Sequence, residues 1–385
     1  MIAVIADDFT GATELAGVGL RFGLKVEINL DNIKTLDSEL LIIATDTRSK
    51  TSEEAYNEVN RITKELINSN VSWIYKKTDS VLRGHVLTEL KAMIDASNKD
   101  KVLLAPTNPA YGRIIKNGIY YINDVPLHLT NFADDPEYAL KTSNVLEILC
   151  KQNELPTYLI TRQNNAITKG IAIAEAASFD DLDYWAKQVD QNIIPAGASG
   201  FFLSLLNTQK LNQVQITNQE IKFGKNFLII CGSAFSQGHI GVEESKQKGI
   251  KVCEMPNEIF YERPPKEKHF QKWVDDTINA FNSVSRVLIE INQPIVRKPS
   301  LALRLRLELA RLVEEVVSKV KIDELFIEGG ATAYAISKQL GLNKFLPCQE
   351  IAPGVIRMKV NNYTNFHLTT KPGSYMWPEE IWKFD

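Results

Sequence analysis

Met1-Ile2-Ala3-Val4-Ile5-Ala6-Asp7-Asp8-Phe9-Thr10-Gly11-Ala12 decides how this chain is read. Residues 1–6 are short and apolar, as a buried strand requires, and two aspartates stop the run. Asp7 to Gly11 reads as a turn, and Ala12 to Phe22 spaces its apolar residues as a helix does. In open α/β sheets ligands gather at the carboxyl ends of strands, so this turn is where a site would form. Two adjacent carboxylates are not expected to face the same way. One can accept a substrate hydroxyl or its proton while the other caps the helix. Thr10 offers a hydroxyl, and Gly11 a backbone N–H suited to an anion. An acidic helix cap with no ligand is the competing reading.

The pattern repeats outward. Strands are expected at Lys25–Leu30, Leu40–Thr45, Val71–Lys76 and Lys101–Ala105. Helices are expected at Glu53–Asn68 and Val86–Ser97, the first with Ala55, Val59, Ile62, Leu66 and Ile67 along its apolar side. Such alternation predicts a mostly parallel α/β sheet. Residues 107–145 break the rhythm and suggest an excursion with a hairpin at Gly118–Pro126. A strand at Thr157–Thr161, a helix at Phe179–Gln191 and a Gly/Ala-rich segment from Pro195 to Gly200 follow. The polar stretch 207–226 reads as a linker. A second α/β unit begins at Phe227–Cys231, with strands at Lys251–Met255, Val287–Ile291 and Leu325–Glu328. The long helix Leu301–Lys319 carries Arg304, Arg306, Glu308, Arg311, Glu314 and Glu315, read as a solvated, salt-bridged face. The expected fold class is therefore two α/β domains with mostly parallel sheets and an active-site cleft between them. Their expected bounds are 1–215 and 223–385.

Composition sets limits. A chain of 385 residues suggests two domains, and 44% apolar residues are enough for real cores. The net charge of −3 gives no basic excess of the kind nucleic-acid binders show. Cys150, Cys231, Cys253 and Cys348 form no Cys-x-x-Cys pair, so reduced thiols are expected rather than a zinc knuckle. The start carries no positively charged leader, and no stretch approaches the ~20 apolar residues that span a bilayer. A cytoplasmic location is expected.

Further constellations follow strands. Lys76-Lys77-Thr78-Asp79-Ser80-Val81-Leu82-Arg83-Gly84 offers Arg83 to a carboxylate, Asp79 to hydroxyls and a lysine to phosphate charge. Ala105 to Arg113 is a Pro- and Gly-shaped loop with Arg113 as a second anion ligand. In the second half, Gly232-Ser233, Glu328-Gly329-Gly330-Ala331-Thr332 and Lys371-Pro372-Gly373-Ser374 each follow a strand or lie near the end. A Gly-Gly-x-Thr turn into a helix presents bare N–H groups to a phosphate, although the Gly-Lys-Ser/Thr ending of a P-loop is absent. The five histidines show no metal-ligand spacing.

Together these segments resemble the four-carbon acid sugar kinases, the threonate, erythronate and 3-oxo-tetronate kinases, nearly end to end. The Asp-Asp-x-Thr-Gly-Ala opening is matched at Asp7 to Ala12, and Lys-x-Asp-Ser-Thr-Leu-Arg-Gly at Lys77, Asp79, Ser80, Leu82, Arg83 and Gly84. Ala105, Pro106, Pro109, Gly112 and Arg113 match a third segment; Asn123 to His128, Asp135-Pro136 and Pro195 to Gly200 continue it. Gly232-Ser233, Gly329 to Ala333 and Pro353 to Val355 match the second half. The resemblance implies a sugar acid on the N-terminal domain and ATP on the C-terminal one. It implies Asp8, Asp79 and Arg83 in catalysis, with Arg83 gripping the carboxylate. Asp7, Thr10, Gly11, Lys77, Ser80 and Arg113 are then expected around the substrate. Ser233, Gly329, Gly330, Thr332 and Gly373 are expected around the nucleotide, with ATP and Mg2+ as cofactors. A homodimer is compatible with the sequence. Glu14, Val81 and His85 depart from the family pattern, as does Ala331, which stands where an acidic residue that could help hold magnesium is usual. Glu328 is the nearby carboxylate that could compensate. The alternatives are a sugar-acid-binding regulator without catalysis, and a two-domain dehydrogenase or aldolase; the absence of GxGxxG speaks against the dehydrogenase.

Overall fold

The structure is a computed structural model. It describes residues 1–33, 37–69, 71–135, 138–149, 155–209, 211, 213, 221–232, 248–293, 299–360, 365–373 and 375–382. The chain divides into two units, Met1–Gln215 and Ile216–Asp385.

The first unit opens β1 (Ile2–Ala6), α1 (Phe9–Arg21), β2 (Val26–Leu30), β3 (Leu40–Ala44), α2 (Ser52–Asn68), β4 (Trp73–Lys77), α3 (Val86–Ala96) and β5 (Lys101–Ala105). An antiparallel sheet of β6 (Arg113–Lys116), β7 (Ile119–Ile122) and β8 (Val125–Pro126) follows. The unit closes with α4 (Val145–Leu149), β9 (Thr157–Ile160), β10 (Gly170–Ala174), α5 (Phe179–Ala186), β11 (Ile193–Gly197) and α6 (Ser199–Thr208). Its main sheet runs β2-β3-β1-β4-β11-β5-β10-β9, every neighbour parallel. Helices cover both faces of such a sheet, which is why β1, β3 and β10 are buried at every position. Ile5 and Ile43 pack with Val59, Ile62 and Leu66 of α2 and with Leu90 and Met93 of α3. Each such side chain contributes about 1.5–3 kcal/mol by leaving water.

Helix α1 starts at Phe9, three residues earlier than its apolar spacing suggests, because Asp8 caps it. Thr51 and Glu54 form a reciprocal capping box on α2. Ile67, read as part of the apolar side of α2, is 42% exposed instead. Helix α5 ends at Ala186 rather than Gln191, its last turn tightened by bonds from Gln188 N to Trp185 O and Val189 N to Ala186 O.

The second unit contains β12 (Phe227–Cys231), β13 (Lys251–Glu254), α7 (Asn257–Tyr261), α8 (Glu267–Ser283), β14 (Arg286–Glu290), α9 (Pro299–Lys319), β15 (Glu324–Glu328), α10 (Gly330–Gln339), β16 (Lys344–Ala352), β17 (Val355–Val360) and β18 (His367–Lys371). Its strands run β13-β14-β12-β15-β18-β17-β16, the first five parallel and the last two pairings antiparallel. Phe227 and Phe326 stack at 5.4 Å in its core. On α9, Arg311 pairs with Glu267 as a solvated charge should. Arg304 does not: it donates to the carbonyls of Ile259 and Phe260 at the end of α7, because those last carbonyls lack helical partners. Among the described residues no helix is long and apolar enough to cross a membrane.

Candidate functional site

Strands β3, β1 and β4 are neighbours, so the turns that leave their carboxyl ends meet. The turn after β3 is the part sequence reading passed over. Thr45 Oγ1 donates to Ala6 O at 2.9 Å, and a single 3₁₀ turn, Thr47–Ser49, delivers Arg48 to the two aspartates. Arg48 Nε and Nη2 both donate to Asp7 Oδ2, at 2.9 and 2.6 Å. Its Nη1 lies 3.4 Å from Asp8 Oδ2, and its Nη2 3.4 Å from Asp79 Oδ1. Gathering three acids on one guanidinium needed no motif; only the position of Arg48 just past an apolar strand could have signalled it.

The two aspartates divide the work. Asp8 Oδ1 accepts from Gly11 N at 2.8 Å and Oδ2 from Thr10 Oγ1 at 2.7 Å, so Asp8 is the helix cap. The Gly11 amide expected to meet an anion is thus already bonded to Asp8. Burial pushes the Asp8 carboxyl up, but Arg48, Lys77, Thr10 and the Gly11 amide outweigh it and hold it below the ordinary range. Asp7 is different. Its Oδ1 is buried and accepts no hydrogen bond. Burial raises its carboxyl, and neighbouring Asp8 adds to this, against the pull of Arg48 and Lys76.

Asp79 and Arg83 follow β4. Arg83 Nε and Nη2 hold the two Asp79 oxygens at 2.9 Å each, and its Nη1 donates to Asp135 Oδ2 at 2.7 Å. Burial pushes Asp79 up, and the two arginines more than offset it, so it lies far below the ordinary carboxylate range. The Arg83 fork, expected to grip a substrate carboxylate, is therefore engaged by two acids of its own chain. Lys77 Nζ donates to Thr78 O at 2.9 Å and lies 3.8 Å from Glu14, which also accepts from Ser199 Oγ at 2.7 Å. Beneath the turn, Lys76 and Glu89 form a fully buried pair at 2.7 Å. Arg113 donates to Ser80 Oγ, and Tyr120 OH donates to Ser80 O at 2.6 Å. The remaining histidine near the cluster, His85, is bonded to Lys50 O at 2.7 Å.

In the second unit the parallel register places Cys231, Glu328 and Lys371 side by side at the ends of β12, β15 and β18. The three glycine signals read from the sequence therefore issue from one edge. Gly329 N donates to Lys371 O at 2.9 Å, and Gly330 begins α10. Thr332 is buried against Gly232, where an added Cβ would come within 2.4 Å of Thr332 Oγ1. Gly373 lies in the turn after β18; Ser233 lies outside the described residues. Glu328, the carboxylate considered for magnesium, is fully buried and 3.1 Å from Lys371 Nζ. Among the described residues no group of three His, Cys, Asp or Glu side chains could hold a metal ion.

The sequence profile described as a sugar-binding N-terminal domain matches residues 2–238, and that described as a nucleotide-binding C-terminal domain matches residues 228–375. A D-threonate kinase of Salmonella typhimurium is 24% identical over 383 residues, covering 91% of this chain and 89% of the relative. A 3-oxo-tetronate kinase of Haemophilus influenzae is 22% identical over 420 residues, covering 97% of each. A D-erythronate kinase of Heliobacterium modesticaldum is 27% identical over 203 residues, 47% of this chain and 46% of the relative. A solved structure described as a putative tRNA synthase from Salmonella typhimurium shares the fold, with a TM-score of 0.79 at 17% identity over 99% of this chain and 97% of its own. With the sugar-binding profile spanning more than half the chain and the nucleotide-binding profile continuing it, this protein belongs to the family built from a sugar-binding N-terminal domain and a nucleotide-binding C-terminal domain.

Proposed function

We propose that this protein is an ATP-dependent kinase that phosphorylates a terminal hydroxyl of a four-carbon sugar acid of the threonate, erythronate or 3-oxo-tetronate type. The observation that carries the proposal is the knot of acids and arginines where β1, β3 and β4 end, in a chain whose relatives over most of its length are kinases of such acids. Phosphoryl transfer needs positioning and charge neutralisation more than covalent help from the protein.

Asp7 is the preferred base over Asp8 and Asp79. Both Asp8 oxygens are spent on the helix cap, and Asp79 is clamped by Arg83. Asp7 keeps an oxygen with no hydrogen bond and a raised carboxyl, closer to the range in which a base works near neutrality. The hydroxyl oxygen attacks the γ-phosphorus as its proton passes to Asp7 Oδ1. The bond from that phosphorus to the β-γ bridging oxygen breaks, and ADP leaves. The backbone N–H groups of Gly330 to Thr332 at the start of α10 suit the nucleotide's phosphates, while the Gly329 amide is held by Lys371 O, and Gly373 and Ser233 are proposed as further contacts. Magnesium enters on those phosphates as part of the nucleotide substrate, since it binds through phosphates and waters more readily than in all-protein cages.

The test is ADP release by the full chain with ATP and magnesium, screened over four-carbon acids. Turnover with a four-carbon acid supports the reading. Acid binding seen by calorimetry without any ADP release would instead indicate a regulator.

A further inference from the structure

The charges around the knot are nearly all spoken for. Arg48 holds Asp7, Asp8 and Asp79; Arg83 holds Asp79 and Asp135; Lys76 holds Glu89; Lys77 faces Glu14. Arg113 is the exception. Among the described residues it forms no ion pair, and its one side-chain hydrogen bond runs from Nη1 to the neutral Ser80 hydroxyl. It is half-buried, so the rest of its donor fork can still reach a ligand. A guanidinium carries five N–H donors in a planar fork that matches a carboxylate.

Arg113 is also aimed. Arg83 and Arg113 both lie against the Phe132 ring, 5.0 and 5.8 Å from its centroid, so one aromatic side chain packs on both guanidiniums. Tyr120 OH fixes the Ser80 backbone, and Ser80 in turn fixes Arg113. At Gly112 φ is +61°, and an added Cβ would meet Asn123 Oδ1 at 2.0 Å, so only glycine lets the chain turn into β6 at this angle. Each of these contacts orients a cation that lacks an anion.

We propose that Arg113, rather than Arg83, reads the substrate's carboxylate and so makes the site choose acids over neutral polyols. Arg83 is a staple that holds the Asp79 turn to Asp135. The inference rests on the kinase reading for its substrate class.

The experiment compares the wild-type chain with Arg113→Met and Arg113→Lys, using D-threonate and D-erythronate against threitol and erythritol. Wild type prefers the acids. Arg113→Met should raise KM for the acids about 10- to 100-fold, the range for losing a hydrogen bond between charged groups. It should leave KM for ATP and for the tetritols within about twofold, a split that a general loss of structure would not give. Arg113→Lys, which keeps charge but not the fork, should fall between the two. Should Arg113→Met prove unstable, Arg113→Lys decides: an undiminished preference for acids in it overturns the proposal, as does one in Arg113→Met. Calorimetric titration of D-threonate and D-erythronate into the same chains without ATP reads the same contrast. If wild type binds an acid but never releases ADP, the kinase reading fails while the Arg113 assignment is still judged by the binding loss. If wild type neither binds nor turns over these acids or 3-oxo-tetronate, both fail.

Discussion

Arg48 closes on Asp7 across 41 residues of sequence, through Nε at 2.9 Å and Nη2 at 2.6 Å, and both bonds go to the same oxygen, Oδ2. The other oxygen is thereby left buried and without a hydrogen bond. A carboxylate held at one oxygen and bare at the other keeps one oxygen able to accept a hydrogen bond or a proton.

Asp7→Asn removes the proposed base. The expected result is a fall in kcat of about 10²-fold or more with the fold intact, since general bases contribute on that scale. The base acts deprotonated and its carboxyl is raised by burial, so wild-type kcat should climb with pH through that raised value. The climb should be missing in the variant, and a pH profile with an unchanged limb there would remove Asp7 from the role.

Asp79→Asn tests the staple. Arg83 and Arg48 hold the Asp79 carboxyl far below its ordinary value, overcoming the upward push of burial. Its stabilising contribution is therefore present above the ordinary aspartate value of about 3.9 and fades as pH falls below it. At pH 7 the variant should be less stable by about 3 kcal/mol, the scale for breaking a buried pair. The gap should narrow in acid, as read by denaturant unfolding at several pH values; a gap independent of pH would count against the pairing.

The Lys76–Glu89 pair should behave as a buried ion pair does. Lys76→Met leaves Glu89 without its partner in a dry site and should cost about 3–5 kcal/mol, while Lys76→Met with Glu89→Leu should recover most of that loss. Thermal unfolding of the single and double variants reads the difference. Equal losses in both would mean that the pair stabilises in itself.

Gly232→Ala probes the nucleotide half. A Cβ there would crowd three Thr332 side-chain atoms, at 2.4, 2.7 and 3.0 Å, and rotation of the hydroxyl alone cannot relieve that. The start of α10 must shift, so KM for ATP should rise several-fold while KM for the acid holds, at an overpacking cost of about 1–3 kcal/mol. Matching rises in both constants would argue against a nucleotide role for this edge.

Much of the fold was legible because apolar runs such as Leu40 to Ala44 and Phe227 to Cys231 carry their burial in their composition. Strands β16 and β17 were not. The half-buried stretch of β16 is interrupted by Pro347, Gln349 and Glu350, so no period shows there, and β17, buried at five of its six positions, carries two charged residues within its apolar run. The candidate cluster was legible where side chains follow strands in recognisable order, as Asp7, Asp8, Asp79 and Arg83 do. Which aspartate caps and which stays bare was not, because hydrogen bonding rather than residue type decides it. Arg48 escaped notice because its role comes from strand order, which brings β3 beside β1. The engagement of Arg83 by Asp135, 52 residues on, is a tertiary fact that no local pattern carries.

The central claim is tested most directly by ADP release from the full chain with magnesium and ATP, over D-threonate, D-erythronate, 3-oxo-tetronate and the corresponding neutral tetritols. Turnover is expected with at least one of the acids, much weaker with the tetritols, and lost in Asp7→Asn. Equal turnover with acids and tetritols, or none with any acid, would contradict it.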